Sequence, residues 1–379
     1  TEIDDYANEL SSSALELHRT LLTLGELDEV SLTFGLSGGL DSRVLLALCL
    51  PSPHLMERIS FKTNTHSSRH ADRVIAQRLA RKHGFKLNQE ISPNTNATKE
   101  KVDNPFGLWV LSSLGLFDMM YLHTTYWNTP CAVEIGGHGA ETVKGTFVRS
   151  LSRLLEWAPE NTSDTIHRSL SKSLRDSGIE PEDPDAVQWL HMSFKSGLQN
   201  GRFTDVSNFA LRPLLNHRLF ALSRAGCNPN QTPQKGRPTR LHDLLIMLNK
   251  ELAAFPFDVV KKNLTEFMVT NRAQEIGSNI ELLDATPYVI HGYLSDIANG
   301  PADSFLSQIE QYDIGDQGRI EAVQEMLEHH WTALDDSELI DMLRPAYDLA
   351  MKRFEMEEPY LPDAGTPVAK ILALSMVDC

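Results

Sequence analysis

A short polar segment with two glycines, residues 37–42 (SGGLDS), joins an apolar run at residues 30–36 directly to a helical pattern at residues 44–50. This layout predicts a strand, a glycine turn and the N-terminus of a helix. Gly38 and Gly39 lack a Cβ atom, so their backbone can adopt positive φ and approach a ligand closely. The first N–H groups of the helix point into the turn, where the helix dipole favours an anion.

The polar side chains of this segment are typical of a phosphate and metal site. Ser37 and Ser42 supply hydroxyl donors, whereas Asp41 repels phosphate unless a divalent cation lies between the two charges. The glycine spacing differs from that of the Walker loop and of the dinucleotide-binding turn. We therefore predict a cradle for pyrophosphate and Mg²⁺. The alternative is a glycine-rich strand-to-helix turn with a Ser or Asp cap.

Length, charge and cysteine spacing limit the class of protein. The chain has 379 residues and a net charge of −16, so two domains are expected and a polyanionic partner such as nucleic acid is disfavoured. The cysteines form no C-x-x-C pair, which argues against a zinc knuckle or a redox motif. We find no signal peptide and no apolar run of about 18 residues. We therefore expect a cytoplasmic protein without a membrane span.

Alternating strand and helix patterns over residues 1–150 predict an α/β domain with a parallel sheet. Beyond it, residues 151–379 have a helical texture and are expected to form a mainly α-helical substrate lobe. The predicted strands are 30–36, 58–63, 85–91 and 131–135. The predicted helices are 9–24, 44–50, 70–83 and 108–127, and loops are expected at 92–104 and 228–240.

A second glycine-rich turn follows the strand predicted at residues 131–135 and reads GGHGAETVKGTF over residues 136–147. Parallel sheets bind ligands at the carboxyl ends of their strands, so the two turns are expected side by side. Together they resemble the PP-loop ATP pyrophosphatases, and among these the synthetase domain of asparagine synthetases, β-lactam synthetases and lasso-peptide macrolactam synthetases. The resemblance extends over residues 9–270 and is strongest in residues 37–42. It implies an adenine nucleotide alpha hydrolase-like PP-loop fold that binds ATP and Mg²⁺.

The resemblance also implies which residues bind the nucleotide and the metal. Adenine would lie against Leu36 and the strand end at residues 61–63. Asp41 and Glu141 would hold Mg²⁺, with Glu141 in the place of a family aspartate. The implied nucleotide contacts are Leu36, Ser37, Gly38, Gly39, Asp41, Ser42, Phe61, Lys62, Thr63, Gly136 and Gly137.

Further positions concern the substrates. His138 falls where the family has the residue that handles the proton of the attacking amine, and the ordinary pKa of a histidine suits a base near neutral pH. A loop histidine that only fills space is the alternative. The family's phosphate-neutralising lysine falls at Leu264, so Lys261 and Lys262 are candidates for that charge, or else solvated surface lysines. A family aspartate is replaced by Asn216, so the resemblance does not identify the substrate of this pocket.

These residues predict an ATP-dependent amide-forming ligase. A small-molecule or peptide carboxylate would be adenylated with release of pyrophosphate, and an amine or ammonia would displace AMP while His138 takes the proton. The alternatives are a PP-loop enzyme that activates a nucleobase for thiolation or amination, and a nucleotide-binding subunit without catalysis.

The nucleophile also has alternative sources. The first glycine turn begins at residue 37, and we expect no glutaminase domain before it. Ammonia would then come from a separate glutaminase subunit, or an amine would replace it, or the chain is part of a longer protein. The sequence also leaves open the formation of a homo-oligomer.

Overall fold

The computed structural model is a mixed α/β structure with a parallel sheet and many helices. It describes residues 6–89, 98–101, 125–129, 131–156, 163–196, 209–224, 239–277, 280–289, 319–334 and 337–355. Contacts divide the chain into two compact units. The first unit comprises residues 1–96, 129–146 and 208–298, and the second comprises residues 97–128, 147–207 and 299–379.

The strands are β1 (Ser31–Gly35), β2 (Ile59–Lys62), β3 (Thr98–Lys101), β4 (Thr125–Asn128), β5 (Ala132–Ile135) and β6 (Phe209–Leu211). The helices are α1 (Tyr6–Gly25), α2 (Leu40–Cys49), α3 (Pro53–Arg58), α4 (His70–His83), α5 (Ala140–Lys144), α6 (Leu151–Leu155), α7 (Ser163–Asp176), α8 (Ala186–Leu190), α9 (His217–Arg224), α10 (Arg240–Leu248), α11 (Lys250–Ala254), α12 (Glu266–Ile276), α13 (Arg319–Ala333) and α14 (Ser337–Glu355). Short 3₁₀ segments cover Ser67–Arg69 and Val260–Lys262, and a π-helical segment covers His191–Ser196. None of the helices in the described ranges is long and apolar enough to cross a lipid bilayer.

A parallel sheet with the strand order β2-β1-β5-β6 forms the centre of the first unit. Phe34 in β1 is opposite Phe61 in β2 and Ile135 in β5, and an isolated parallel bridge from Phe61 to Leu87 adds a position beyond β2. The chain thus runs from β1 to one side of the sheet and later to the other, so the strand order reverses between β1 and β5. In parallel α/β sheets, such a reversal opens a crevice at the carboxyl ends of the strands.

The helices around this sheet bury their apolar sides in one shared core. In α1, Leu10, Leu17 and Leu21 recur at helical spacing and are all buried, as expected for an amphipathic helix. α2 is buried on nearly every side and packs against α1 and α10. Burying a leucine side chain stabilises a fold by roughly 1.5–3 kcal/mol, so this core anchors the turn that precedes α2.

Several predicted elements are confirmed, although most bounds shift by a few residues. α1, α2, β1, β2 and β5 lie at predicted positions. α4 matches the helix predicted at residues 70–83 in both bounds, and Gly84 ends it in the left-handed conformation with φ 78°. Glycine adopts this conformation without the steric cost that other residues bear.

Other predictions were wrong in their described parts. The strand predicted at residues 85–91 contributes only the bridge at Leu87 among its described residues. β3 lies within the loop predicted at residues 92–104 and pairs antiparallel with β4. β4 occupies the end of the helix predicted at 108–127, whose residues 108–124 lie outside the described part. A strand needs a pairing partner that the local pattern does not identify, which accounts for these differences.

Contacts between residues divide the chain differently from the domain boundary predicted at residue 150. β6 pairs with β5, and α10 packs against α2, so residues 208–298 belong to the same unit as the sheet. The second unit contains the β3–β4 pair together with helices, of which α6, α7 and α8 share a small apolar core. Most of the loop predicted at residues 228–240 lies outside the described residues.

Candidate functional site

The two glycine turns meet at the carboxyl edge of the sheet. The first glycine turn, residues 37–42, follows β1 and leads into α2, and the second glycine turn, residues 136–141, follows β5 and leads into α5. A Cβ atom built on Gly137 would lie 2.8 Å from the Cβ of Asp41 and 3.4 Å from the amide nitrogen of Ser42. The turns therefore lie side by side, and glycine at position 137 permits this close contact.

Hydrogen bonds close the first glycine turn on itself. The Ser37 N–H donates to the Ser42 Oγ at 3.1 Å, and the two serine hydroxyls also lie 3.1 Å apart. The Gly39 N–H donates to the Ser37 Oγ at 3.1 Å. The Gly38 N–H donates to Oδ1 of Asp72 in α4 at 3.1 Å. The Asp72 carboxylate thus accepts a hydrogen bond from one amide of this turn, as a bound anion would.

The glycines of the first turn are required for space, and the expected positive φ is not found. Gly39 has φ −82°, and Gly38 is not among the glycines with positive φ. A Cβ on Gly38 would lie 2.8 Å from the Cβ of Asp258 and 3.1 Å from that of Ile75, so packing demands glycine there. Among the described atoms, a Cβ on Gly39 would approach only the Ser37 hydroxyl, at 3.2 Å. Gly39 lines a cavity, so its missing side chain leaves room for a ligand.

Asp41 is held by a lysine from α5. The Nζ of Lys144 lies 2.9 Å from each carboxylate oxygen, and Oδ2 accepts the hydrogen bond. Oδ1 is buried and accepts no hydrogen bond from the described residues. The two side chains are 32% and 28% exposed, so solvent screens their attraction only in part. This ion pair joins the two turns through residues that are 103 positions apart in the sequence.

Glu141, in the first turn of α5, supplies the second carboxylate. Its Oε2 accepts the Gly139 N–H at 3.0 Å, whereas its buried Oε1 has no partner in the part of the chain that the structure describes. Leaving such an oxygen unsatisfied is costly, and carboxylate oxygens are the ligands that Mg²⁺ prefers. The unpartnered Oε1 of Glu141 therefore fits a divalent cation, whereas Asp41 is already paired with Lys144. The described ranges hold no group of three His, Cys, Asp or Glu side chains placed for a metal, so substrate and water would complete the coordination.

A cavity of about 320 Å³ opens beside Asp41. It is lined by Gly39, Leu40, Asp41, Lys144, His242, Phe257, Lys261, Lys262, Asn263 and Leu264. Three lysines line it with Asp41, and Asp258 pairs with one of them, so the wall keeps an excess of positive charge although the whole chain has a net charge of −16. Lys261 and Lys262 are both exposed, and the carboxylate oxygens of Asp258 lie 3.1 Å from the Nζ of Lys262, which they partly neutralise. Such a wall attracts a small polyanion.

The residues predicted to contact adenine lie at the ends of β1 and β2. The Leu36 N–H donates to the Lys62 carbonyl oxygen at 2.8 Å, so this backbone pair extends the sheet. Phe61 is fully buried, with its ring centroid 4.3 Å from that of Phe85, so its side chain packs in the core. The buried Oγ1 of Thr63 makes no hydrogen bond within the described ranges. Thr63 therefore contributes a buried hydroxyl at this edge of the sheet.

The other predicted residues have varied surroundings. His138 is exposed in the second glycine turn. Asn216 caps α9, because its Oδ1 accepts the N–H groups of Arg218 and Leu219 at 2.9 and 3.1 Å. A capping role thus accounts for this residue. Leu264 is buried at the position where the resemblance places a lysine.

Arg43 ties the first glycine turn to the cavity wall, although the sequence patterns do not single it out. It is fully buried and donates to the carbonyl oxygens of Gly38, Phe255 and Pro256 at 3.3, 2.5 and 2.7 Å. Its guanidinium carbon lies 3.7 Å from the ring centroid of Phe257, and burial lowers its pKa to about 10. The available signal is an arginine directly before the apolar run of residues 44–50, because a buried charge needs partners.

His242 is another cavity residue that the sequence patterns do not single out. Its Nδ1 accepts the Thr239 N–H at 3.0 Å and closes a capping box at the start of α10. Burial lowers its pKa to about 4, against the opposing effect of Asp243. The ring is therefore neutral near pH 7 and carries its proton on Nε2. Its sequence signal is the spacing from Thr239, which is that of a capping box.

No protein-family model matches the chain, and no curated protein matches it either. The most informative features are the contact between the two glycine turns at the strand reversal and the cationic cavity beside Asp41.

Proposed function

We propose that the protein is an ATP-dependent ligase of the PP-loop type, which adenylates a carboxylate, releases pyrophosphate and transfers the acyl group from AMP to an amine or ammonia. The observation that carries this proposal is the lysine-lined cavity beside Asp41, where the two glycine turns meet. A phosphate chain needs such a wall, because it brings several negative charges into a partly enclosed space. The substrates would be small-molecule or peptide carboxylates and amines.

The first glycine turn would supply the phosphate contacts. Gly39 presents bare backbone to the cavity, and α2 begins at Leu40. The N-terminus of a helix binds anions through its N–H groups and its dipole. Lys261 and Lys262 would offset the charge of the departing pyrophosphate, and adenine would lie near the Thr63 hydroxyl.

Asp41 and Glu141 would hold Mg²⁺. The buried Oε1 of Glu141 accepts no hydrogen bond from a described residue, and Asp41 would bind the ion in place of Lys144. A bound Mg²⁺ neutralises phosphate charge and polarises the phosphoryl oxygens. Arg43 would position the first glycine turn, because it holds the Gly38 carbonyl oxygen at 3.3 Å. The turn would then keep its amides directed at the phosphates without reorganisation during the reaction.

Two bond exchanges would follow. A carboxylate oxygen attacks the α-phosphorus, and the bond to the oxygen that bridges to the β-phosphate breaks, so that pyrophosphate leaves with the electron pair. The amine nitrogen then attacks the acyl carbon, the bond between that carbon and the AMP oxygen breaks, and His138 accepts the proton from nitrogen. Adenylation makes this possible because AMP leaves from carbon far more readily than hydroxide.

Asp41→Asn is expected to lower carboxylate-dependent exchange of pyrophosphate into ATP by about 100-fold or more, since it removes a charge that acts on the transition state. The assay would follow exchange and AMP release over a panel of amino acids and small carboxylic acids. Asp28→Asn is the control, because Asp28 is an exposed carboxylate that precedes the amino end of β1. The control is expected to retain activity within about twofold, as surface changes usually do.

Intact exchange in Asp41→Asn would refute the metal role of this residue. Binding of ATP by the natural protein without AMP release from any substrate would favour a nucleotide-binding subunit without catalysis. The capping role of Asn216 and the burial of Leu264 favour that candidate. AMP release only with a nucleobase acceptor would favour the nucleobase-activating enzyme.

A further inference from the structure

Lys144 is paired with Asp41, a carboxylate that the proposed function assigns to Mg²⁺. Its Nζ lies 2.9 Å from both oxygens of Asp41. Magnesium binds carboxylate oxygens at about 2.0–2.1 Å and keeps several waters around it. An ion bound to either oxygen would lie close to the ammonium group, so the two positive charges compete for Asp41.

The cavity offers Lys144 a second position. Its side chain lines the cavity and is 28% exposed. Lysine carries a compact charge with rotatable donors on a flexible four-carbon stem, so the ammonium can turn from Asp41 toward the cavity. Lys262 lies in the same wall but is already held by Asp258 at 3.1 Å. Lys144 is therefore the cation whose partner the metal itself would take.

We propose that Lys144 is an exchangeable counter-ion. Without metal it neutralises Asp41 and joins the two glycine turns, and when metal binds Asp41 it moves to the phosphate chain in the cavity. This inference rests on the proposed function, because it assumes that Asp41 binds Mg²⁺ and that the cavity binds a nucleotide. It follows that Lys144 opposes metal binding in the absence of nucleotide and strengthens nucleotide binding once the metal is present.

Binding measurements without turnover test both effects in Lys144→Met. In calorimetric titration with Mn²⁺ alone, this variant is expected to bind the metal about fivefold more tightly or better, because the competing cation is gone. With saturating Mg²⁺, it is expected to bind α,β-methylene-ATP about fivefold more weakly or worse. Lys261→Met is the matched control from the same cavity wall. It is expected to weaken the analogue without tightening Mn²⁺, since Lys261 is not the residue paired with Asp41.

Mn²⁺ binding that is unchanged or weaker in Lys144→Met would overturn the inference, and so would unchanged affinity for the analogue. Lys144→Gln serves if the methionine variant does not fold, because it removes the charge but keeps a donor, and the same two shifts are expected. If the natural protein binds neither Mn²⁺ nor the analogue, the proposed function fails and this inference fails with it. If it binds both and the Lys144 variants show no opposite shifts, only this inference fails.

Discussion

At the scale of single residues, two histidines of the first unit have opposite surroundings. His242 is held in a capping box with its pKa lowered to about 4 by burial, so it serves as a neutral hydrogen-bonding group and a poor base. His138 is exposed and directly follows Gly137, the residue in contact with Asp41. Of these two, His138 is the one we expect to take the proton of an incoming amine, because a general base must reach both the substrate and water.

His138→Ala is expected to keep carboxylate-dependent pyrophosphate exchange and to lower amide formation by about 100-fold or more, which is the usual contribution of a general base. Mass spectrometry of quenched reactions would measure the acyl-adenylate and the amide separately. His66→Ala is a suitable control, because His66 is exposed and caps the 3₁₀ segment before α4. Loss of both activities in a folded His138→Ala protein would assign His138 to adenylation, and unchanged amide formation would remove it from the mechanism.

At the level of elements, the site depends on two strand-to-helix turns that are held in different ways. α2 is buried along nearly its whole length, so the first glycine turn is anchored by core packing. α5 is short, and glycines with φ 90° and 67° stand at its two ends, Gly139 and Gly145. A Cβ on Gly139 would also lie 2.8 Å from the backbone nitrogen of Leu215. Backbone geometry therefore fixes the second turn. Its contact with the first turn at Gly137 sets the distance between the two turns.

Gly137→Ala is expected to push the two turns apart, because the new Cβ would lie 2.8 Å from the Cβ of Asp41. We expect binding of α,β-methylene-ATP to weaken by about tenfold or more, since small misplacements in a site are costly. The free energy of unfolding should fall by about 1–3 kcal/mol from overpacking. Gly35→Ala is the matched control at the end of β1, where the nearest atom to a new Cβ is the Ile135 oxygen at 3.9 Å. Equal binding by the two variants would contradict the proposed spacing.

At the scale of the whole molecule, the first unit is assembled from three separate stretches of chain. Residues 208–298 supply β6, which pairs with β5, and α10, which packs against α2. Leu241, Leu244 and Leu245 of α10 are fully buried in the same core as the sheet. Removing them from water contributes roughly 1.5–3 kcal/mol each, so the sheet depends on residues far beyond position 150.

A fragment of residues 1–150 is expected to lack a cooperative unfolding transition in urea, because it loses β6 and α10, which pack against β5 and α2. A fragment of residues 1–298 retains every stretch of the first unit and is expected to unfold cooperatively. Circular dichroism during urea titration would measure both transitions. Cooperative unfolding of the shorter fragment would support the domain boundary predicted at residue 150.

Local chemistry explains which elements and turns could be predicted from the amino-acid sequence. The apolar run, the glycine pair and the helical pattern around residues 37–42 predict β1, the first turn and α2, and Gly84 predicts the end of α4. Each of these features depends on backbone preferences and apolar spacing within a few residues. The side-by-side position of the two turns also follows, because parallel strands present their carboxyl ends at one edge.

The side chains that surround the site could be identified only from the tertiary structure. Lys144 reaches Asp41 across 103 positions of sequence, and Lys261 joins the same cavity from a third stretch of chain. Phe61 lies at a predicted strand end, yet packing turns its side chain into the core. Such contacts depend on how distant segments fill space and satisfy buried charges, and neither requirement leaves a periodic pattern in the local sequence.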